Sequence, residues 1–194
     1  MNTRKLILLG FAVVVAAQLA VPAWMIAQHE QTLGNGQVFK FKTRPVDPAD
    51  AFRGRYVWLS LEPSSVQVPN VHQWRSRQKA FAVLGADSDG FATVKRLDPA
   101  EPKGEPAVLV RVMWPDLKEG KVTIQWPGLD RYYMTEDKAP AAETAYREHS
   151  FRTNRDCHVT VRVHGSRAVI ENLFIEDQPI HQWLTQQSGR LGKP

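Results

Sequence analysis

The side chains able to do chemistry are few and scattered along the 194 residues. The single Cys, Cys157, excludes an intrachain disulfide framework, a multi-Cys zinc site and an iron–sulfur cluster. On an extended strand it shares a face with Val159, Val161 and Val163. It therefore reads as a buried, inert thiol, because reactive cysteines sit in electropositive, accessible surroundings. His158 and His164 occupy the opposite face with Thr160 and Arg162, about 20 Å apart along an extended strand and too far for one ion. His29, His72, His149 and His181 are dispersed, and no His-x-x-x-His or Glu-x-x-His spacing occurs. No metal set and no cofactor are expected.

Nucleophile signatures are equally sparse. There is no Gly-x-Ser-x-Gly and no phosphate-binding loop. Ser60, Ser64 and Ser65 lack a local base, so a Ser–Lys or Ser–His pair would have to assemble through the fold. Asp47, Asp50, Glu62, Glu136, Asp137, Glu171, Glu176 and Asp177 supply carboxylates. Acid–base work would require two of them about 5–10 Å apart across a cleft, and a solvated surface is the default for each. No catalytic residue is assigned. The six Trp (24, 58, 74, 114, 126 and 183) serve either core packing or interface anchoring.

The most distinctive stretch is Arg44-Pro45-Val46-Asp47-Pro48-Ala49-Asp50-Ala51-Phe52-Arg53-Gly54-Arg55-Tyr56-Val57-Trp58-Leu59-Ser60-Leu61. Asp47-Pro48 and Asp50 favour a turn, and Gly54 frees φ where the chain swings into a strand. Strand alternation sets Tyr56, Trp58 and Ser60 on one face and Val57, Leu59 and Leu61 on the other. The Leu face belongs to a core. Tyr56 and Trp58 face a second layer or an accessible groove. The stretch is thus either a turn and strand that nucleate a sheet or a binding face.

This stretch resembles the GDYXXLXY family of bacterial membrane-anchored proteins. Gly54, Tyr56 and Leu59 stand at the named positions, while Arg55 replaces the Asp and Leu61 the last Tyr. Arg131-Tyr132-Tyr133-Met134-Thr135-Glu136 is similar to the aromatic-then-Glu segment that precedes a helix in the family. The strand ending in Asn172–Asp177 resembles its carboxyl end. The resemblance implies a single-pass, outward-facing protein without an agreed catalytic residue. The motif and binding residues carried forward are Asp47, Asp50, Arg53, Gly54, Tyr56, Trp58, Leu59 and Glu136.

The elements that must hold these residues read mostly as β. Phe39 and Phe41 alternate with Lys40 and Lys42, and Arg55–Leu61 forms a second strand. Lys79–Ala86 and Phe91–Leu97 flank a turn at Asp87-Ser88-Asp89-Gly90. Ala107–Trp114 pairs with Lys121–Trp126. Cys157–Val163 joins Arg167–Ile175 at Gly165-Ser166, where a leading Gly suits a type II′ turn. Lys138–His149 is helical, with Pro140 tolerated in the first turn. Val66–Gln78 reads as loop with a helical turn near Val71–Arg77. The fold class expected is mostly β (α+β): an N-terminal transmembrane helix, then a compact, mainly antiparallel β domain with one or two short helices.

Between Leu6 and Ala27 there is no charge, and Gln18 is the only polar side chain. As a helix this segment is roughly 33 Å long, enough for a hydrocarbon core of about 30 Å. It exceeds the roughly 7–15 residues of a signal-peptide core, so a retained signal anchor is favoured over cleavage near Val21-Pro22-Ala23. Arg4 and Lys5 hold the amino end in the cytoplasm. The chain divides into a basic stub (1–5), an anchor (6–27), a tether (28–36), an extracytoplasmic β domain (37–185) and a loose tail (186–194).

The formal net charge of +5 is a mild imbalance of 25 basic against 20 acidic residues. It lacks the clustered basic–aromatic stripe of a nucleic-acid binder. The expectation is an inner-membrane protein with a periplasmic domain, in contact with lipid through residues 6–27. It would serve as a non-enzymatic accessory or interaction subunit for a polytopic membrane protein. The competing expectations are a tethered hydrolase of an envelope peptide, lipid or glycan, and a binding module for an anionic lipid or glycan. Convergence of a Ser, a Lys or two carboxylates in one cleft would mark the hydrolase. A concave pocket lined by Trp and Arg would mark the binding module.

Overall fold

In the computed structural model, residues 3–44, 56–151 and 156–191 are described. The chain begins with one long helix, α1 (Thr3–Asn35). It is long and apolar enough to cross a membrane, with a mean hydropathy of 2.4 over its best window, and that window is not buried by the rest of the protein. The segment expected as a tether continues this helix to Asn35. Long-range packing explains the difference: the last turns of α1 lie on β10 (Cys157–His164) and β11 (Arg167–Ile175). Thr32 is fully buried there, and its hydroxyl donates to the Gln28 carbonyl at 2.9 Å.

Gly36 ends the helix, its N–H donating to the Thr32 carbonyl at 2.9 Å. A Cβ at this position would clash with that carbonyl oxygen and stand 3.0 Å from the Val163 nitrogen. Only glycine lets the helix end abut β10 so closely.

Two five-stranded antiparallel sheets follow. The first runs β12 (Gln178–Pro179), β11, β10, β1 (Gln37–Arg44), β3 (Ser60–Leu61). The second runs β4 (Ser65–Gln67), β8 (Lys121–Gln125), β7 (Ala107–Asp116), β5 (Lys79–Ala86), β6 (Ala92–Asp98). Alternating apolar residues bury one face of each sheet in a common core. Phe41, Val159, Val161 and Leu173 come from the first sheet, and Val110, Val112, Val122 and Ile124 from the second. The Phe41 and Trp126 rings meet edge to face, 5.2 Å between centroids. Trp126 is anchored in turn by its Nε1–H, which donates to the Pro63 carbonyl at 3.0 Å.

The turns follow their residue chemistry. Asp87 Oδ1 accepts from the N–H groups of Asp89 at 3.0 Å and Phe91 at 2.8 Å, closing the β5–β6 connection. Gly165 takes φ 62°, as the first position of a type II′ turn requires. Cys157 is buried as expected, its sulfur 3.9 Å from the Tyr146 carbonyl oxygen. The opposite face of β10 is covered too. His158 is buried, stacked on Phe174 at 4.7 Å and meeting Phe91 edge to face.

Three local expectations change. The single strand over 55–61 is two short strands, β2 (Tyr56–Trp58) and β3, divided at Leu59. The stretch 66–78 begins in β4 instead of loop, while the expected helical turn is a 3-10 turn at Val71–Gln73. Residues 186–191 of the expected loose tail lie in α3 (Ile180–Leu191), whose buried Ile180 joins the core. The helix expected at 138–149 is α2 (Ala139–Ser150).

Candidate functional site

Apart from the two large sheets, β2 pairs with β9 (Arg131–Tyr133) as a small antiparallel ribbon. The register sets Tyr56 opposite Tyr133, Val57 opposite Tyr132 and Trp58 opposite Arg131. Alternation then sorts the side chains by face. Val57 and Tyr132 point inward at 0% and 7% exposure, whereas Trp58 and Tyr133 are 38% and 66% exposed. The inner face is well seated. Helix α2 packs against β2, and the Tyr132 hydroxyl meets His181 Nε2 of α3 at 3.1 Å. Burial raises the Tyr132 pKa, which keeps that hydroxyl protonated.

The outer face is one connected surface of aromatics and a cation. The Tyr56 ring centroid lies 5.7 Å from that of Tyr133 and 6.0 Å from that of Trp58. The Arg131 guanidinium carbon sits 5.2 Å from the Tyr56 centroid and 5.1 Å from that of Trp58. A cation over two ring faces is held electrostatically by both quadrupoles. The Tyr133 side chain raises the Arg131 pKa further above its ordinary value; desolvation opposes it, and the Asp130 charge adds to the rise. Arg131 Nε nevertheless finds Asp130 Oδ2 only at 3.8 Å, beyond hydrogen-bond range.

Beside Trp58 opens a crevice of about 360 Å³, lined by Leu59, Ser60, Gln125, Trp126 and Asp130 among others. The turn that leads from Trp126 to β9 has Pro127-Gly128 at its centre, Gly128 at φ 80°, and a Leu129 N–H to Trp126 carbonyl bond of 3.2 Å. These are the marks of a type II turn.

Of the residues singled out from sequence, Tyr56 and Trp58 come together on this face. Leu59 is core, 2% exposed, its N–H donating to the Asp130 carbonyl at 2.9 Å. Glu136 lies exposed in the turn before α2. Asp47, Asp50, Arg53 and Gly54 lie outside the described residues. Arg131 and Tyr133 complete the face although neither was assigned a binding role. Only the pairing of β2 with β9, distant in sequence, brings them in.

Other reactive groups converge less productively. Ser64, Ser65, Lys42 and Lys95 line one crevice of about 650 Å³. Among the described residues no hydrogen bond joins either hydroxyl to a lysine, and the Lys42 ammonium lies over the Phe91 ring at 4.6 Å. Ser76 and Lys79 have the Ser-x-x-Lys spacing that a helix would bring onto one face. Here both are exposed and flank a turn in which Arg77 takes φ 66°.

His149, Asp156 and Glu176 place one ligand atom each within 4.8 Å of the others, the one such group among the described residues. The His149 Nδ1 already meets Asp156 Oδ1 at 3.2 Å, and the Trp183 ring packs edge to face on the imidazole at 5.3 Å. The Glu176 N–H donates to the Asp156 carbonyl at 3.1 Å. This geometry ties the end of α2 to the start of β10 and the end of β11. Spacings of this kind leave no local motif, so sequence patterns could not have found the cluster.

A family model described as GDYXXLXY protein matches residues 18–173. No curated protein and no solved structure matches the chain.

Proposed function

The chain belongs to the GDYXXLXY family, and from that premise we propose that it is a membrane-anchored interaction subunit rather than an enzyme. In this reading α1 crosses the inner membrane, with Arg4 and Lys5 on the cytoplasmic side. The β domain stands in the periplasm. The outer face of the β2–β9 ribbon docks on an extramembrane segment of a polytopic membrane protein.

The observation that carries this reading is the connected group in which exposed Trp58 and Tyr133 flank half-buried Tyr56 and Arg131. Trp, Tyr and Arg are the side chains that most often dominate interface energetics. Mutual stacking also fixes their rotamers beforehand, which lowers the entropy lost on docking. A hydrolase reading finds no comparable support, since the Ser, Lys and carboxylate groups above form no nucleophile–base hydrogen bond among the described residues.

The test is affinity capture of the tagged full-length protein from gently solubilised membranes, with Trp58→Ala and Arg131→Ala alongside. The expected result is one integral membrane protein retained by the wild type. Each substitution reduces its recovery about 30-fold, corresponding to a loss of about 2 kcal/mol. Recovery of the protein alone, or equal capture by both variants, overturns the proposal.

A further inference from the structure

A crevice of about 370 Å³ lies where α1 meets the β domain, a volume within the roughly 300–1,000 Å³ of ligand sites. One wall is helical, with Trp24, Met25 and Gln28. The opposite wall is the start of β7 with Val108 and the start of β11 with Arg167 and Val169. A backbone bond from the Leu109 N–H to the Ser166 carbonyl at 3.3 Å joins those two strands across the floor. Among the described residues no carboxylate lines the crevice, so the Arg167 cation is not neutralised there. The Gln28 Oε1 is buried without a hydrogen-bond partner, and such an acceptor costs free energy until something donates to it.

Depth decides what occupies it. Counting about 1.5 Å per residue from Leu6, Trp24 falls about 27 Å along the helix, at the outer edge of a hydrocarbon core of about 30 Å. The crevice therefore opens at headgroup level, with its apolar wall toward the acyl region. Resting on the reading that α1 spans the bilayer, we propose that this crevice binds an anionic phospholipid of the outer leaflet, with a hydroxylated headgroup such as that of phosphatidylglycerol. Arg167 pairs with the phosphate. A headgroup hydroxyl donates to Gln28 Oε1. Trp24, Met25, Val108 and Val169 cover the glycerol backbone and first methylenes, where apolar burial is favourable. Bound lipid would also brace the exit of α1 against the domain.

The test is native mass spectrometry of the full-length protein in detergent, dosed with dioleoyl-phosphatidylglycerol or dioleoyl-phosphatidylcholine. The expected adduct with the anionic lipid is at least five-fold more abundant. Arg167→Gln should reduce it to the phosphatidylcholine level, and Arg167→Lys should largely retain it. Arg111→Gln, an exposed β7 change outside the crevice, should have no effect. Equal adducts of the two lipids, or an adduct unchanged in Arg167→Gln, overturns the proposal. Full displacement by glycerol 3-phosphate at lipid-equivalent concentration does so too, by assigning the crevice to a soluble phosphate. Alkaline carbonate extraction of the same cells separates the two readings. Protein released to the supernatant removes the membrane premise itself, whereas protein retained in the pellet without lipid preference removes only the lipid site.

Discussion

Arg131 holds the candidate face together, because its guanidinium lies over both the Tyr56 and Trp58 rings. A lysine at this position keeps the charge but loses the flat group that stacks on two rings. Arg131→Lys is therefore expected to lose most of the partner capture while shifting stability by no more than about 0.5 kcal/mol, the usual range for exposed positions. Parallel capture and thermal melting check this. A normal capture would show that charge alone suffices.

His158 gives a second prediction at this scale. Burial lowers its pKa below the ordinary 6.5, opposed by Asp177 at 3.8 Å and reinforced by Lys40. The unfolded chain then binds more protons than the folded one as pH falls through 6.5, so stability falls with it. Thermal melts between pH 7.5 and 5.5 should show a steeper loss in the wild type than in His158→Phe. Superimposable pH profiles would contradict this. At the residue scale the sequence revealed much of the face. Alternation correctly split Tyr56 and Trp58 from Val57 and Leu59. Arg131 stayed hidden as a partner because a strand's cross-strand neighbour is not written in its own segment.

Elements were legible where one face is apolar and a turn residue marks the end, as in β10 and β11 around Gly165. They were least legible where the chain changes partners. Between Trp58 and Ser60 the strand leaves β9 and joins β1, and Leu59 donates to Asp130 in passing. Nothing in the run Tyr56–Leu61 announces that exchange. The polar residues and two glycines of 28–36 likewise read as a tether, yet burial of Thr32 on β10 and β11 keeps them helical. Gly36→Ala tests that junction, because its Cβ would meet backbone atoms that cannot move aside. Overpacking of this kind costs about 1–3 kcal/mol. The variant should melt earlier and become sensitive to protease between residues 28 and 36. A wild-type melt and cleavage pattern would count against a rigid junction. Tyr146, whose hydroxyl donates to the Arg44 carbonyl at 2.8 Å, fastens α2 to the end of β1. Tyr146→Phe should lower stability by about 1 kcal/mol, read by denaturant unfolding.

For the whole molecule, the end of a continuous helix packed on the first sheet sets the angle between α1 and the β domain. In the proposed reading, where α1 is the membrane anchor, this gives the β2–β9 face one orientation relative to the bilayer, which suits docking on a neighbour in the same membrane. The long apolar helix and the β class were both readable from composition and alternation, since each depends on local pattern. The angle between them depends on contacts over more than a hundred residues, and the sequence pattern did not contain it. The most direct measurement is photo-crosslinking in native membranes from a photoreactive residue at position 125, where exposed Gln125 lines the crevice beside Trp58 and leaves the docking group intact. A discrete adduct with one integral membrane protein, lost when Arg131→Ala is combined with the probe, is the predicted result. Absence of any specific adduct, or an adduct indifferent to Arg131, would contradict a docking role for this face.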